Sequence, residues 1–260
     1  MARRDDSRPI WIGFGPGVAD EEFEGRAVAY EDYPEYCTGA DIVSVNASPV
    51  AGIDRTDGEN YLWYVAKGVD RLREWTHQEK PVWAMIECTH MRNPERKATP
   101  EQVRAEVWMA LIHGAQGIVY FVHEWAPRFV EAALLRDPQM LRAVTQINQE
   151  IHQLAPVLKS PTLEERAEVR SAVEHVPIDI MTKRHKGAIY LFAASMRPGE
   201  TKGSFKIQAL KGRFRAEVIG ENRTIKGGDG GFEDSFGNYE VHLYKIPTLS
   251  STPAERQQYM

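Results

Sequence analysis

The sequence has no hydrophobic run that could cross a membrane. No apolar stretch reaches the roughly 18 consecutive residues that a transmembrane helix needs. The first residues, Met-Ala-Arg-Arg-Asp-Asp-Ser, lack the apolar core of a secretory signal peptide. We therefore expect a soluble chain with no membrane partner, while its compartment stays unassigned.

Cysteine and clustered positive charge are also scarce. The two cysteines, Cys37 and Cys88, lie too far apart in sequence to indicate a disulfide framework or a metal site. The formal net charge is −5 and the isoelectric point is near 5.9, so we expect no nucleic-acid partner. The glycine-rich stretch 13–17 lacks Gly-x-Gly-x-x-Gly spacing, and we expect neither a cofactor nor a metal ion.

The segment from Lys80 to Trp125 predicts a β-α-β unit. Two short apolar runs, 82–87 and 117–122, are rich in β-branched and aromatic residues, as buried parallel strands are. A helix is predicted between them, from about Thr99 to Ala115. Two earlier strands, 10–15 and 41–46, and an amphipathic helix at 59–78 extend the same alternation.

This alternation predicts an α/β fold with a parallel sheet. A complete (β/α)8 barrel typically needs about 250 residues, and the composition changes after Leu158. We therefore expect residues 1–158 to form a partial TIM-type barrel of about four βα units, followed by a linker at 159–176. Short alternating runs separated by glycine-rich turns predict a small antiparallel β-sandwich domain at 177–247, and 248–260 is expected to be a polar tail.

Carboxylates stand at the ends of two predicted strands. Glu87 and Glu124 each close an apolar run, and Asn46 ends an earlier one. An ionised carboxylate is poor core material, so its place at the carboxyl end of a buried strand indicates a site. Catalytic groups of (β/α) barrels lie at that end, and we expect Glu87, Glu124, Trp125 and Asn46 to share one pocket.

The segment 80–121 resembles the last two βα units of retaining glycoside hydrolases, particularly the barrel β-galactosidases of the clan whose nucleophile ends the seventh strand. The resemblance rests on the strand that ends in Glu87 and on the passage His113-Gly-Ala-Gln-Gly-Ile-Val-Tyr-Phe121. It covers roughly residues 80–158 well and extends in outline to 8–79 and 177–247. It implies that the four strands are the fifth to eighth of a barrel and that the substrate is a carbohydrate.

The resemblance assigns roles to individual residues. Glu87 matches the nucleophile of a double-displacement mechanism, which needs a second carboxyl group as general acid. The Asn-Glu pair that carries this acid in the family is absent before the first visible strand. A missing amino-terminal half, a second chain or a copy of this chain that completes the barrel, or Glu124, would have to supply it. The residues expected to bind substrate are Asn46, His90, His123, Glu124 and Trp125.

Other interpretations of these residues stay open. Glu87 could be a structural carboxylate paired with an arginine, Arg92, Arg96 or Arg104. Asn46, the two histidines and Trp125 could serve as loop cap, scaffold and core, and Glu124 could form a loop salt bridge. The sequence thus leaves three classes of protein: a retaining glycosidase or part of one, a non-catalytic carbohydrate-binding or scaffold protein derived from such an enzyme, and an unrelated α/β protein that holds a metal through its strand-end carboxylates.

Overall fold

The computed structural model describes residues 7–23, 30–53, 56–163, 167–208 and 210–248. By contacts, the chain divides into two compact units, Met1–Thr145 and Gln146–Met260. Within the described ranges, no helix combines the length and the apolar character that crossing a bilayer requires. The predicted polar tail lies outside these ranges from residue 249 onward.

A four-stranded parallel sheet is the centre of the first unit. Its strands follow the order of the sequence, and each pairs in parallel with the next. They are β1 (Trp11–Phe14), β2 (Ile42–Val45), β3 (Val82–Glu87) and β4 (Gly117–Phe121). The α-helices of this unit are α1 (Tyr33–Thr38), α2 (Tyr64–Trp75) and α3 (Pro100–Ile112), with short 3-10 turns at Pro16–Val18, Glu21–Phe23, Tyr30–Asp32, Gly58–Tyr61 and Ala133–Arg136. The predicted βαβ alternation is confirmed.

Local sequence explains where α3 begins. The Thr99 side chain accepts a hydrogen bond from the Gln102 amide, and the Gln102 side chain accepts one from the Thr99 amide, which together form a capping box. Pro100 follows at the first helical position, where its missing N–H costs nothing. Most of α3 is buried, including Trp108. The helix therefore begins at Pro100, and it packs against α2 and β3.

The two faces of β3 differ in burial. Val82, Ala84 and Ile86 are fully buried, whereas Trp83 and Met85 on the alternate positions are half-buried. In the described residues β1 pairs only with β2, and β4 pairs only with β3, so the sheet has two free edges. The first unit is thus an open parallel sheet, and the described residues do not close a (β/α)8 barrel.

The second unit contains one eight-stranded antiparallel sheet. The division between the units falls within helix α4 (Pro138–Leu158), after which the chain is almost entirely strand. The strands are β5 (Ala167–Ser171), β6 (Ile178–His185), β7 (Ala188–Ser195), β8 (Thr201–Ile207), β9 (Arg213–Val218), β10 (Arg223–Gly228), β11 (Gly231–Phe236) and β12 (Val241–Pro247). Their order is β5-β8-β11-β10-β9-β12-β7-β6.

The predicted antiparallel β unit is present, as one curved sheet where a sandwich was expected. Hydrogen bonding runs without a break from β5 to β6, and these outer strands contact each other, so the sheet curls into a nearly closed barrel. The core inside includes Leu191, Phe205, Ile207, Val218, Phe232 and Tyr244. Sandwiches and barrels share the same alternation of buried and exposed residues, so the sequence pattern could not separate them. Strand β5 also lies inside the segment predicted to be a linker, where it pairs with β8.

Candidate functional site

A pocket of about 250 Å³ opens where β3 and β4 end. It is lined mainly by polar side chains, among them Thr89, His90, Lys97, Glu124, Arg128 and Asp137. These residues come from the segments that follow the two strands, so the pocket lies at the carboxyl edge of the parallel sheet. This is the edge at which α/β proteins of this type bind ligands.

Hydrogen bonds to the backbone hold the two strand-end segments together. The Thr89 hydroxyl donates to the carbonyl oxygen of His123 at 2.5 Å, and the Trp125 amide donates to the carbonyl oxygen of His90 at 3.1 Å. The backbones of Glu124 and Val130 exchange hydrogen bonds of 3.0 and 2.9 Å. The positions of His90 and Glu124 are therefore fixed by main-chain contacts.

His90 and Glu124 form the polar centre of the pocket. The Nδ1 atom of His90 lies 3.0 Å from Oε2 of Glu124, and their side chains are 28% and 23% exposed. The carboxylate keeps a second oxygen for a ligand, and the imidazole keeps its second nitrogen. Such a pair is suited to binding hydroxyl groups, which both donate and accept hydrogen bonds. Sequence reasoning predicted both residues, and the structure brings them together.

An ion pair forms another part of the pocket lining. Lys97 donates to the carboxylate of Asp137. Burial alone would raise the pKa of Asp137, but the hydrogen bonds from Lys97 and from the Met140 amide outweigh it and lower that pKa. Asp137 was not predicted as a site residue, because the sequence shows only a polar residue before α4. Its two partner contacts keep it ionised beside the His90–Glu124 pair.

Aromatic side chains flank the pocket residues in sequence. Trp125 and Phe129 are both 56% exposed, and their ring centroids are 5.1 Å apart. The His123 ring lies 5.8 Å from that of Phe129, and its Nδ1 atom accepts a long hydrogen bond from the Ala132 amide. Trp125 and His123 therefore belong to an exposed aromatic group next to Glu124, which offers a flat apolar surface of the kind that sugar rings pack against.

Glu87 is enclosed, which differs from the pocket predicted from sequence. Its carboxylate has no exposed surface and accepts hydrogen bonds from the amides of Val50 at 2.7 Å and Ala51 at 2.5 Å. Burial raises the pKa of Glu87 to about 7, although the two amides act in the opposite direction. The next two residues, Cys88 and Thr89, line the pocket, but Glu87 itself faces the loop that follows β2.

A second buried carboxyl group lies beside Glu87. Glu106 in α3 has no exposed surface, and among the described residues neither of its oxygens has a hydrogen-bond partner of good geometry. Burial and the neighbouring charge of Glu87 raise the pKa of Glu106 well above its ordinary value. Sequence reasoning missed this residue. Its position between Val103 and Ala110, on one apolar helix face, was the available indication.

Asn46 stabilises the loop over Glu87. Its side-chain oxygen accepts a hydrogen bond from the Ser48 hydroxyl at 2.5 Å, and its backbone N–H donates to the carbonyl oxygen of Phe14. Ser48 has a positive φ of 41°, so this loop turns sharply at that residue. In the described chain, Asn46 does not line the pocket around His90.

The described residues contain no group of three or more histidine, cysteine, aspartate or glutamate side chains arranged to hold a metal ion. His90 and Glu124 form a pair, and the Asp137 carboxylate that lines the same pocket is bonded to Lys97.

Comparisons with known proteins identify the fold and leave the family open. No family model matches the sequence, and no curated protein matches it. The apo exo-carrageenase GH42 from Bacteroides ovatus matches 90% of this chain and 51% of its own, at 9% identity and a TM-score of 0.59. The noncanonic maltogenic α-amylase AmyB from Thermotoga neapolitana matches 82% of this chain and 52% of its own, at 11% identity and a TM-score of 0.49.

A third solved structure, the α-amylase from Geobacillus thermoleovorans complexed with acarbose, matches 85% of this chain and 63% of its own, at 7% identity and a TM-score of 0.43. The chain therefore spans about half to two thirds of the length of these enzymes. Its fold is similar to that of a glycoside hydrolase, as the match to the GH42 structure indicates. At such low identity the similarity concerns the fold alone.

Proposed function

We propose that this chain takes part in glycoside hydrolysis and that it binds the sugar at the carboxyl edge of its parallel sheet. The observation that carries this proposal is the His90–Glu124 pair, held at 3.0 Å in a polar pocket where β3 and β4 end. The fold, similar to that of a glycoside hydrolase, supports the choice of a carbohydrate among ligands that carry hydroxyl groups.

In this proposal each side chain contacts a different part of the sugar. The Glu124 carboxylate accepts hydrogen bonds from ring hydroxyls, because a charged acceptor strengthens such bonds. His90 remains oriented by Glu124 and presents its other nitrogen to the ligand. Trp125, with Phe129 against it, packs on the apolar face of a sugar ring.

For the chemical step we propose the retaining double-displacement route with Glu87 as the nucleophile. Its place at the end of β3 and the two amide hydrogen bonds that stabilise its carboxylate form support this role. The loop that carries Val50 and Ala51 encloses Glu87, so this loop has to move before the carboxylate can attack an anomeric carbon. Cys88 and Thr89, which follow Glu87 in the chain, already line the pocket. The loop movement therefore needs to expose only Glu87.

The mechanism also requires a general acid at about 5–5.5 Å from the nucleophile. We propose that a second chain or another copy of this chain supplies it by packing against the open sheet. The sheet has two free edges in the described residues, and Trp11 on β1 is 44% exposed. Unpaired strand edges favour such association. Light scattering at micromolar concentration would reveal association between copies of this chain, and a monodisperse monomer would contradict such association.

A second candidate function is carbohydrate binding without catalysis. The enclosure of Glu87 favours it, because a carboxylate that is fully buried and bonded to two loop amides acts as an anchor for the loop. In this case the His90–Glu124 pocket would bind sugar in the same way, and Glu87 would contribute only to stability.

Covalent trapping distinguishes the two candidates. Activated 2-deoxy-2-fluoro glycosides with a dinitrophenyl leaving group need no general acid, so they test the nucleophile even where the acid is missing. Wild-type protein incubated with a panel of such sugars should gain the mass of one glycosyl group, located by peptide mapping at Glu87. Sugar binding without any label would support the second candidate, and a label on another residue would contradict the assignment of Glu87.

A further inference from the structure

We propose that the cleft between strands β10 and β11 is a binding site for an acidic polysaccharide. The cleft lies in the antiparallel unit and has no residue in common with the His90–Glu124 pocket. The choice of a carbohydrate as the occupant rests on the proposed function, whereas the choice of an anionic one rests on the charges of the cleft.

The cleft exists because the arms of one hairpin separate. Strands β10 and β11 share a single register pair, Gly228 with Gly231, although β10 pairs along its whole length with β9 and β11 along its whole length with β8. At the far end the arms are joined again by side chains, since Arg223 donates two hydrogen bonds to Asp234 at 2.9 and 2.8 Å. Between these two connections lies a cleft of about 960 Å³.

Cations dominate the rim of this cleft. Lys202, Arg213 and Lys226 line it, against one carboxylate, Glu233, which pairs with Lys202. Among the described residues, Arg213 and Lys226 are exposed and have neither an ion pair nor a hydrogen bond through their side chains. They are therefore available to an anionic ligand, in a chain whose net charge is −5.

More positive charge continues on the neighbouring strands. Lys226 stands opposite Arg215 of β9, and Gly231 stands opposite Lys206 of β8. Both Arg215 and Lys206 alternate with buried or half-buried residues, so they project from the outer face of the sheet. The cations thus come from three neighbouring strands, β8, β9 and β10, while β11 between β8 and β10 contributes the carboxylate Glu233. Cations spread in this way suit a polymer that carries charges at intervals.

The floor of the cleft is apolar. Phe205 and Phe232 line it with their rings stacked at a centroid distance of 4.7 Å, and Gly227 and Gly228 leave the wall without side chains. Because both rings are almost fully buried, the contacts that the cleft offers a polysaccharide come from its charged rim and its glycine backbone. Arginine and lysine bind carboxylate and sulfate groups through charge-assisted hydrogen bonds, and the two unpaired cations at the rim can supply them.

Calorimetric titration of the full chain at low ionic strength tests the proposal. The probes are polygalacturonate, which carries carboxylates, dextran sulfate, which carries sulfates, and uncharged dextran. The double variant Arg213→Gln/Lys226→Gln removes the two unpaired cations. Its matched control, Arg184→Gln/Lys186→Gln, makes the same charge change on exposed residues of β6 and the turn after it. We expect an acidic polymer to bind the wild type and the control alike, and the cleft variant about tenfold more weakly.

The outcomes separate this site from the pocket in the other unit. Tighter binding of polygalacturonate or of dextran sulfate shows whether carboxylate or sulfate is preferred. A Glu124→Gln variant should bind the acidic polymer like the wild type. The proposal is overturned if neither acidic polymer binds, if the control loses as much affinity as the cleft variant, or if single-stranded oligothymidine binds as tightly as either polymer. The proposal would also be overturned if Glu124→Gln lost acidic-polymer binding and the cleft variant kept it. That result would support the proposed function, because the polymer would then bind in the His90–Glu124 pocket.

Discussion

The carboxylate of Glu87 accepts hydrogen bonds from the backbone amides of Val50 and Ala51, which lie in the loop after β2. One side chain at the end of β3 therefore fixes the loop of the neighbouring strand. Because the group is fully buried, each of its oxygens depends on these donors.

We expect Glu87→Gln to lower the free energy of unfolding by about 1–3 kcal/mol, because the glutamine NH₂ group would face an amide N–H that has no other acceptor. Chemical denaturation at neutral pH measures this change. Glu95→Gln is the matched control, since Glu95 is exposed in the loop after β3. Equal stability of the two variants would show that Glu87 does not anchor the loop.

The neighbouring carboxyl groups predict a dependence of stability on pH. Folding raises the pKa of Glu87 from 4.5 to about 7, and it also raises the pKa of Glu106. A raised pKa means that the folded protein binds the proton more tightly than the unfolded chain does. The protonated carboxyl group therefore contributes its full stabilisation below pH 4.5, and this contribution is lost as the pH rises through about 7. The free energy of unfolding should therefore fall between about pH 5 and 8.

The variant Glu106→Gln should flatten this dependence. Glutamine does not titrate and removes the negative charge that disfavours ionised Glu87. Denaturation curves of the wild type and the variant across this pH range provide the measurement. If both proteins lost stability in parallel as the pH rose, the two carboxyl groups would not be the cause.

Close packing at Gly117 predicts a cost for adding one methyl group. A Cβ atom at this position in β4 would lie 2.6 Å from a ring atom of Trp83. We expect Gly117→Ala to destabilise the protein by about 1–3 kcal/mol and to change the environment of the Trp83 indole, because an overpacked core forces side chains from their preferred positions. At Gly15, where an added Cβ meets nothing within 4 Å, Gly15→Ala should leave thermal stability nearly unchanged. Similar melting temperatures for both variants would count against this packing.

A polar network in the antiparallel unit predicts a large loss of stability when its central carboxylate is removed. Asp234 accepts two hydrogen bonds from Arg223 and one from the hydroxyl of Tyr244, whose side chain is fully buried. We expect Asp234→Asn to cost about 3 kcal/mol, since the variant removes the charged acceptor shared by Arg223 and the buried Tyr244 hydroxyl and leaves Arg223 only its pair with Glu221. Glu233→Gln, one residue earlier, alters an exposed pair with Lys202 and should have no measurable effect. Chemical denaturation compares them, and a larger loss for Glu233→Gln would contradict the role of Asp234.

Local sequence was sufficient to predict the parallel strands, and it placed two of the candidate binding residues after neighbouring strands. The apolar runs of β3 and β4 are contiguous, and parallel pairing brings the residues after them to one edge, so His90 and Glu124 could be expected to meet. The direction of Glu87 was not predictable in this way. It depends on Val50 and Ala51, which are remote in sequence and whose amides are invisible in a pattern of side chains.

The antiparallel unit shows a second limit of sequence patterns. Alternating residues predicted several of its strands, but the pairing of β5 with β8 and the contact between β5 and β6 are long-range. Strand β5 alternates half-buried positions, such as Val169, with exposed charged ones and has no fully buried residue, so its segment resembled a charged linker. The predicted antiparallel unit is present, but its closure into one curved sheet was not predictable, because closure depends on which strands pair.

Sugar binding by the variant Glu124→Gln tests the central claim most directly. Calorimetry would measure the affinity of the wild type, Glu124→Gln and Glu131→Gln for a panel of neutral oligosaccharides built from galactose, glucose or xylose. Glu131 is exposed in the same segment and does not line the pocket, so its variant controls for the change of charge. We predict that the wild type and Glu131→Gln bind the same sugar equally well and that Glu124→Gln binds it about tenfold more weakly, because it loses a charge-assisted hydrogen bond. Equal affinities of all three proteins, or no binding of any sugar, would contradict the account.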